Sequence, residues 1–277
     1  MLHDWPMLRL VLGAWALAAG LQLALWLISQ RTKNAAIVDV GWAASFAVVA
    51  VWFAAAATTP WQVHAPMLVV VVAWSLRLTL HLVARGAAGG VEEGRYRELR
   101  ARWAPHAGRA FFLFFQAQAA LTAFLSLSLV LPFVVLPSPS LSALRWAGTA
   151  LSVLGIVGEA VADWQLERFR RANVGQGRVC DVGLWRLSRH PNYFFEWLVW
   201  LGHALHCLAY PSGALALSGQ ALLFASIWKV TGIPATEAQA LRSRKEAYRR
   251  YQATTSAFVP WWPRRAPPPA PPVEPRG

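Results

Sequence analysis

Seven long apolar stretches, separated by short charged segments, constrain the fold of this chain more than any other feature. They lie at about 7–28, 35–57, 66–84, 111–136, 144–164, 192–210 and 212–230. Each approaches the roughly 20 residues that a helix needs to cross the hydrocarbon core of a bilayer. Charged residues make up only 14% of the chain, well below the roughly 25% of soluble domains. The sequence therefore predicts an all-α integral membrane protein with seven transmembrane helices.

The distribution of positive charge predicts the orientation of these helices. Of the 26 Lys and Arg residues, 23 fall in the segments 29–36, 85–110, 165–190 and 229–277, which lie on one side of the membrane if all seven stretches span it. Because cytoplasmic loops carry the excess of Lys and Arg, we expect the amino terminus outside and the carboxyl terminus in the cytoplasm.

The rest of the chain gives simpler expectations. Residues 1–263 are expected to form a single domain, and the Pro-rich tail at 264–277 is expected to be disordered. The net charge of +13 is explained by the cytoplasmic loops, whereas a nucleic-acid-binding protein would carry a soluble basic face. We therefore expect membrane lipids as partners, with no nucleic acid and no obligate protein partner.

The stretch SRHPNYFFEW, residues 188–197, carries more polar chemistry than a membrane anchor requires. Pro191 suits the first turn of a helix, whose free backbone N–H groups would face the cytoplasm and attract anions. Asn192 and Glu196 are four residues apart and therefore share a helical face. This combination predicts a site for a nucleotide cofactor. The plainer alternative, a snorkelling arginine and a helix cap, leaves Glu196 inside the membrane unexplained.

The stretch GEAVADWQLERFRR, residues 158–171, places three carboxylates on one helical face. Glu159, Asp163 and Glu167 recur every four residues, and Arg170 and Arg171 follow them. Carboxylates accept hydrogen bonds from ribose hydroxyls, and arginines bind phosphate, so this helix is a second candidate for cofactor binding. The alternative is a solvated helix end with ion pairs four residues apart, which fits Glu167 better than the other two.

Asp39 opens the second apolar stretch, and Arg77 lies in the third. A carboxylate at a membrane position is costly and often functional, although the two residues could instead form a structural ion pair. His203 and His206 are interpreted as packed histidines rather than ligands. No spacing of His, Cys or carboxylate residues indicates a metal site.

Several blocks of the sequence together resemble the steroid 5α-reductase family, in its bacterial membrane branch. They are IVDVGW, EEGRYRELR, GEAVADWQLERFR, GLWRLSRHPNYFFEWLVWLG and KVTGIPATEAQALRSRKEAYRRYQATTSAFVPWWP. The resemblance covers roughly residues 35–263. It implies an inner-membrane reductase that takes NADPH from the cytoplasmic side and a lipid-like enone from the bilayer. Hydride would reach the β-carbon of a 3-oxo-Δ4 steroid or a related lipid.

The resemblance also implies roles for individual residues. Asp39 occupies the position of the family's catalytic carboxylate, and Trp74 falls near the position of the Tyr that partners it in the animal enzymes. A buried Asp39 could hold a proton and donate it to the enone oxygen, whereas an indole N–H donates a hydrogen bond but delivers no proton. The residues expected to bind the cofactor are Arg95, Tyr96, Glu159, Asp163, Arg170, Arg178, Ser188, Arg189, His190, Asn192, Tyr193, Glu196 and Glu237.

Two other functions remain open at this point. The RHPNY block also resembles isoprenylcysteine carboxyl methyltransferases, which use S-adenosylmethionine. That cofactor carries no phosphate, so the basic side chains near the block would lack a purpose. They are Arg170, Arg178, Arg186 and Arg189. A lipid-binding protein without enzymatic activity is the other alternative, and it leaves Asp39, Glu159 and Glu196 unexplained.

Overall fold

The structure, a computed structural model, describes residues 6–89, 91–92, 94–230 and 232–264. Long helices dominate this part of the chain. They are α1 Pro6–Thr32, α2 Ile37–Ala55, α3 Trp61–Ala84, α5 Ala107–Ser126, α7 Ser142–Ala172, α9 Pro191–Cys207, α10 Ala216–Ala225 and α11 Ile233–Thr254. The short helices between them are α4 Gly94–Arg102, α6 Leu131–Val134 and α8 Leu184–Leu187. Most of the predicted tail, from residue 265 onward, lies outside the described residues.

Six segments of the described chain are long and apolar enough to cross a membrane. They are Met7–Thr32, Ile37–Ala55, Trp61–Ala84, Ala107–Ser126, Pro139–Ala172 and Gly213–Thr254. The prediction of a helical, multi-pass membrane architecture is confirmed at this level. The stretch predicted at 192–210 forms α9, which begins at Pro191 as its sequence indicates and has 17 residues. At 1.5 Å per residue it is about 25 Å long, somewhat shorter than the hydrocarbon core.

The fourth apolar stretch was predicted to continue to residue 136, but α5 ends at Ser126. The segment after it turns and then forms the single turn of α6, which carries Pro132 at its start. Proline has no N–H group, so Pro132 cannot continue the hydrogen bonds of α5 through this segment, but it suits the first turn of α6. Leu129, Val130 and Phe133 are nevertheless buried. The apolar composition of the stretch therefore reflects the burial of these residues and does not mean that the helix continues.

The described chain divides into two compact units, and α7, α9 and α10 contribute residues to both. Unit 1 comprises Met1–Ile156 and Val199–Leu222, and unit 2 comprises Val157–Leu198 and Leu223–Gly277, in each case for the described residues. In unit 1, α2 packs against α1 and α3, and α1 packs against α5. In unit 2, the segment after α11 runs beside the loop before α9, where Arg189 N–H donates to the Ser256 carbonyl at 2.8 Å.

A carboxylate fixes the start of α2 within unit 1. Glu92 accepts the backbone N–H of Ala35 at 2.8 Å and two hydrogen bonds from Arg100 at 2.6 and 2.9 Å. Arg100 also lies over the ring of Phe111, 4.8 Å from its centre. Burial by itself raises the pKa of Glu92, but the hydrogen bonds from Arg100 and Ala35 and the charges of Arg100 and Arg97 outweigh it. The pKa of Glu92 is therefore lowered.

We expect Glu92→Gln to destabilise the protein by about 1–3 kcal/mol at neutral pH. Because the folded-state pKa is lowered, the ionised carboxylate contributes stability above the ordinary Glu value of 4.5. That stability is lost as pH falls through the folded-state value. In thermal unfolding, the difference in melting temperature between wild type and variant should therefore become smaller in acid. Glu98→Gln, an exposed change on α4, is the control. A difference in melting temperature that stays constant with pH would contradict the role given to the Glu92 carboxylate.

Candidate functional site

Two of the three carboxylates predicted on one face of α7 are buried within unit 2. Glu159 is 4% exposed and Asp163 is 7% exposed. Glu167 lies on the surface instead, where it accepts a hydrogen bond from Arg171 at 2.7 Å. The ion-pair interpretation therefore describes Glu167, whereas burial sets Glu159 and Asp163 apart, because carboxylates are seldom buried without a specific reason.

The amide of Asn192 meets this buried face of α7. Asn192 Nδ2 donates to Asp163 Oδ1 at 3.5 Å, which is a long hydrogen bond. Glu196 follows one turn later on α9, so it shares a helical face with Asn192. Gly158 permits the close approach, because a Cβ atom there would lie 2.2 Å from the ring of Phe195. Unit 2 thus brings together groups that accept and donate hydrogen bonds beside two buried carboxylates.

Arg189 is engaged by the protein itself. Its Nε donates to Glu237 Oε1 at 2.7 Å, and its Nη1 donates to the carbonyls of Thr255 at 2.6 Å and Gln252 at 3.1 Å. Only 12% of its side chain is exposed. The guanidinium therefore ties the loop before α9 to α11 and the segment that follows it. Sequence reasoning predicted Arg189 and Glu237 individually but missed their pairing, since 48 residues separate them.

Ser188 and His190 reinforce the same connection. Ser188 Oγ donates to the Phe258 carbonyl at 2.8 Å and accepts the N–H of His190 at 3.1 Å. Burial lowers the pKa of His190 and outweighs the opposite effect of Glu237, which lies 3.2 Å from its Nε2. The ring stacks on Tyr193 with centres 5.4 Å apart. A neutral His190 with a proton on Nε2 satisfies this contact with Glu237.

The exposed positive charge of the predicted site lies elsewhere. Arg170 and Arg178 are exposed, and Arg178 donates to Asn173 Oδ1 at 3.0 Å. Tyr193 is partly buried, and its hydroxyl lies 3.0 Å from that of Thr236. Among the predicted cofactor residues of unit 2, Arg170 and Arg178 therefore offer solvent-accessible guanidinium groups, whereas Arg189 is enclosed.

Unit 1 contains a carboxylate–phenol pair at the start of α2. Tyr96 donates its hydroxyl proton to Asp39 Oδ2 at 2.8 Å. Arg95 Nη2 donates to the Tyr96 oxygen at 2.6 Å and lies 3.7 Å from Asp39 Oδ1. Tyr96 is fully buried, and burial, followed by the charge of Asp39, raises its pKa well above the usual range. The phenol therefore keeps its proton at physiological pH.

This pair was not found from the sequence. The resemblance places the partner of Asp39 near Trp74, in the third apolar stretch, whereas Tyr96 lies after that stretch, in the short helix α4. Both Arg95 and Tyr96 were predicted to bind the cofactor, and the structure joins them to Asp39. The available signal was the position of Arg95 and Tyr96 in the charged block EEGRYRELR. This block was predicted on the cytoplasmic side, and so was the start of the stretch that carries Asp39.

Trp74 lies in a group of aromatic side chains of unit 1, called here the aromatic cluster. Its members are Trp42, Phe46, Trp74, Trp200 and His203. The ring of Trp74 packs edge-to-face against Phe46 at 5.2 Å and Trp200 at 5.5 Å. It is fully buried. Trp74 therefore packs among aromatic side chains of α2 and α9.

The chain matches a family model whose description assigns no activity. No curated protein and no solved structure matches the chain. Residues 25–255 match the sequence model of a family described as a protein of unknown function, DUF1295. Since the match covers far more than half of its length, the chain belongs to the DUF1295 family.

Proposed function

We propose that this protein is a multi-pass membrane reductase that uses NADPH to reduce the C=C bond of an enone lipid, such as a 3-oxo-Δ4 steroid. The observation that carries the proposal is the burial of Glu159 and Asp163 on α7, with the Asn192 amide donating to Asp163. The proposal includes seven membrane spans, with α9 as the sixth, an outer amino terminus and a cytoplasmic cofactor site in a bacterial inner membrane. The concentration of Lys and Arg in four segments supports this orientation.

The side chains of unit 2 fit a dinucleotide. Buried carboxylates accept hydrogen bonds from ribose hydroxyls, and the Asn192 amide can pair with a carboxamide. Arg170 and Arg178 offer donors to phosphate groups. Ser188, Arg189, His190 and Glu237 support this proposed site by holding the loop before α9 in place. When bound, NADPH supplies the hydride of the reaction.

The Asp39–Tyr96 pair is the proposed source of the proton. Hydride addition to an enone places negative charge on its oxygen, and a donor aimed at that oxygen stabilises the transition state. Asp39 is 29% exposed along its side chain, whereas Tyr96 is fully enclosed, so Asp39 is the member that can reach a substrate. Because Asp39 is paired with Arg95 and partly exposed, it takes this proton from solvent and passes it to the oxygen of the reduced substrate. Tyr96 O–H and the charge of Arg95 stabilise its carboxylate before and after the transfer.

The alternative functions are disfavoured by the same contacts. A methyltransferase that uses S-adenosylmethionine has no phosphate for Arg170 and Arg178 to bind. A lipid-binding protein without activity needs neither the buried carboxylates of α7 nor a phenol hydrogen-bonded to Asp39. Tight binding of S-adenosylmethionine without binding of NADPH would favour the methyltransferase.

We expect the purified protein to bind NADPH about 10- to 100-fold more tightly than NADH, because the 2′-phosphate gains charge-assisted hydrogen bonds. The double variant Arg170→Gln/Arg178→Gln should lose this preference. Arg168→Gln is the matched control, since Arg168 is exposed on the same helix, lies over the ring of Trp164 and is outside the proposed site. Dissociation constants measured by calorimetry in detergent check the expectation. Equal affinity of the wild type for both dinucleotides would contradict the phosphate role of these arginines.

A further inference from the structure

The segment that follows α11 in unit 2 carries two neighbouring tryptophans on its surface. Trp261 is 69% exposed and Trp262 is 76% exposed. A single exposed apolar side chain is common on a protein surface, but adjacent large ones form a patch that usually marks an interaction site. The two rings together therefore indicate a surface that another molecule covers.

The backbone of this segment is fixed, so the tryptophans are not part of a loose tail. The N–H of Trp261 donates to the Leu187 carbonyl at 2.9 Å, and the N–H of Arg264 donates to the Thr254 carbonyl at 2.7 Å. The segment thus leaves the end of α11, passes the loop before α9 and returns to the last turn of α11. These hydrogen bonds hold the backbone on both sides of Trp262.

Phe258 places the same segment at the ends of two apolar helices. It is 5% exposed, and its ring packs against Phe194 near the start of α9 and Phe224 at the end of α10, with centres 5.7 and 5.9 Å apart. Trp228, just after α10, packs on it as well, at 5.8 Å. A segment at the ends of membrane helices lies at the level of the lipid headgroups, where tryptophan is enriched.

Exposed arginines accompany the two tryptophans. Arg264 is exposed, and the Thr254 hydroxyl donates to the Arg250 carbonyl at 3.3 Å, so Arg250 lies one turn before the point to which the segment returns. The side chains of Arg249 and Arg250 are 71% and 82% exposed, and they lie 3.6 and 3.9 Å from the exposed carboxylate of Glu246. Such exposed pairs are weak, so these guanidinium groups can exchange this partner for another anion.

We propose that Arg249, Arg250, Trp261, Trp262 and Arg264, called here the Trp–Arg surface, dock on anionic phospholipid headgroups of the bilayer. A tryptophan ring suits this level because it is apolar and carries one polar N–H group. Arginine binds phosphate through several donors, and basic residues near an anionic leaflet are attracted to it. The inference is independent of the proposed function, because the lipid is bound and does not react.

The test uses the full chain in nanodiscs of phosphatidylcholine, without NADPH. A small fraction of the lipid carries bromine atoms near the start of its acyl chains, and this fraction is phosphatidylglycerol in one preparation and phosphatidylcholine in the other. Bromine quenches tryptophan fluorescence on contact, so stronger quenching by the brominated phosphatidylglycerol reports its enrichment around exposed tryptophans. Wild type should show this excess quenching, and equal quenching by the two lipids overturns the proposal.

Two pairs of variants assign the excess quenching to the Trp–Arg surface. Trp261→Leu/Trp262→Leu should lose it, and Trp61→Leu, which removes a ring that is 57% exposed at the start of α3, should keep it. Arg250→Gln should raise the fraction of phosphatidylglycerol that gives half of the excess by about fivefold, which is the contribution of one basic residue at an anionic surface. Arg102→Gln, an exposed change on α4, should leave that fraction unchanged. An excess that survives in the double tryptophan variant overturns the proposal.

A salt titration of wild type needs no variant and so does not depend on how the variants fold. The excess quenching should fall at about 1 M salt, where charges are screened beyond about 3 Å, and an excess that salt does not change overturns the role of the arginines. The other occupant of such a surface is a second copy of the chain. A dimer that Trp261→Leu/Trp262→Leu converts to a monomer, together with no preference between the lipids, overturns the proposal in favour of that contact. Because NADPH takes no part, failure here leaves the proposed function untouched.

Discussion

Replacing Glu237 by Leu is expected to lower the free energy of unfolding by about 3–5 kcal/mol, because it leaves the buried charge of Arg189 without its carboxylate. The pair is 2.7 Å apart, with only 12% and 15% of the two side chains exposed. Glu237 also accepts from Gln252 Nε2 at 2.8 Å and lies 3.2 Å from His190 Nε2. One substitution therefore disrupts the contacts that join α11 to the loop before α9.

The matched control is Glu246→Leu on the same helix. Glu246 is 62% exposed and lies 3.6 Å from Arg249 and 3.9 Å from Arg250, and such exposed pairs contribute about 0–1 kcal/mol. Chemical unfolding of both variants in detergent measures the difference. The double variant Arg189→Met/Glu237→Leu should recover much of the loss, because no unpaired charge remains. Equal losses in the two single variants would show that the Arg189–Glu237 pair contributes no more than a surface pair.

The helices could be predicted where apolar length alone determines them. The first three stretches each form one helix because about 20 apolar residues have no better arrangement in a bilayer. The helix predicted at 111–136 ends at Ser126 instead. Apolar composition indicates which residues are buried, but it does not indicate where the backbone leaves the helix, and Pro132 cannot continue the helical hydrogen bonds. Helix α9 shows the same limit. Its first turn was correctly predicted at Pro191, but the helix ends three residues earlier than predicted.

Residues of the candidate site could be predicted to lie together when they belong to one helix, but not when they are distant in the sequence. Spacing by four residues correctly placed Glu159 with Asp163, because helical geometry fixes which side chains share a face. The partners of these side chains depend on tertiary contacts that the local pattern does not contain. Tyr96 and Asp39 are 57 residues apart, and nothing local to either residue indicates the other. The same holds for Arg189. As an arginine it was predicted to bind the cofactor, but its contacts with α11 could not be predicted from the sequence around it.

Asp39 is expected to determine turnover rather than cofactor affinity. It belongs to unit 1, whereas the buried carboxylates and exposed arginines proposed to bind NADPH belong to unit 2. Loss of one donor to a developing oxyanion typically costs about 10²–10³ in rate. We therefore expect Asp39→Leu to have no measurable enone reduction. Asp39→Asn, which still donates a hydrogen bond but supplies no proton, should retain weak activity, and both variants should bind NADPH nearly as wild type does.

Tyr96→Phe separates the two members of the pair. It removes only the hydroxyl that donates to Asp39 Oδ2 and keeps the buried ring, so the fold should persist. If Tyr96 stabilises the carboxylate formed in the reaction, turnover should fall by about tenfold, which corresponds to one hydrogen bond. The Michaelis constant for the enone should change little. Unchanged turnover would mean that Tyr96 fixes the position of α4 without taking part in the reaction.

The rival account makes Asp39 a structural partner of a positive charge, either Arg95 at 3.7 Å or Arg77 of α3. Under that account Asp39→Leu leaves an arginine uncompensated and destabilises the fold by about 3 kcal/mol, so activity falls because the protein unfolds. Thermal unfolding with NADPH bound distinguishes the accounts. If Asp39→Leu melts well below wild type, and if Arg95→Leu or Arg77→Leu in the same chain restores both stability and turnover, Asp39 is structural. If Asp39→Leu melts like wild type and remains inactive in those combinations, its carboxyl group is required for the chemistry.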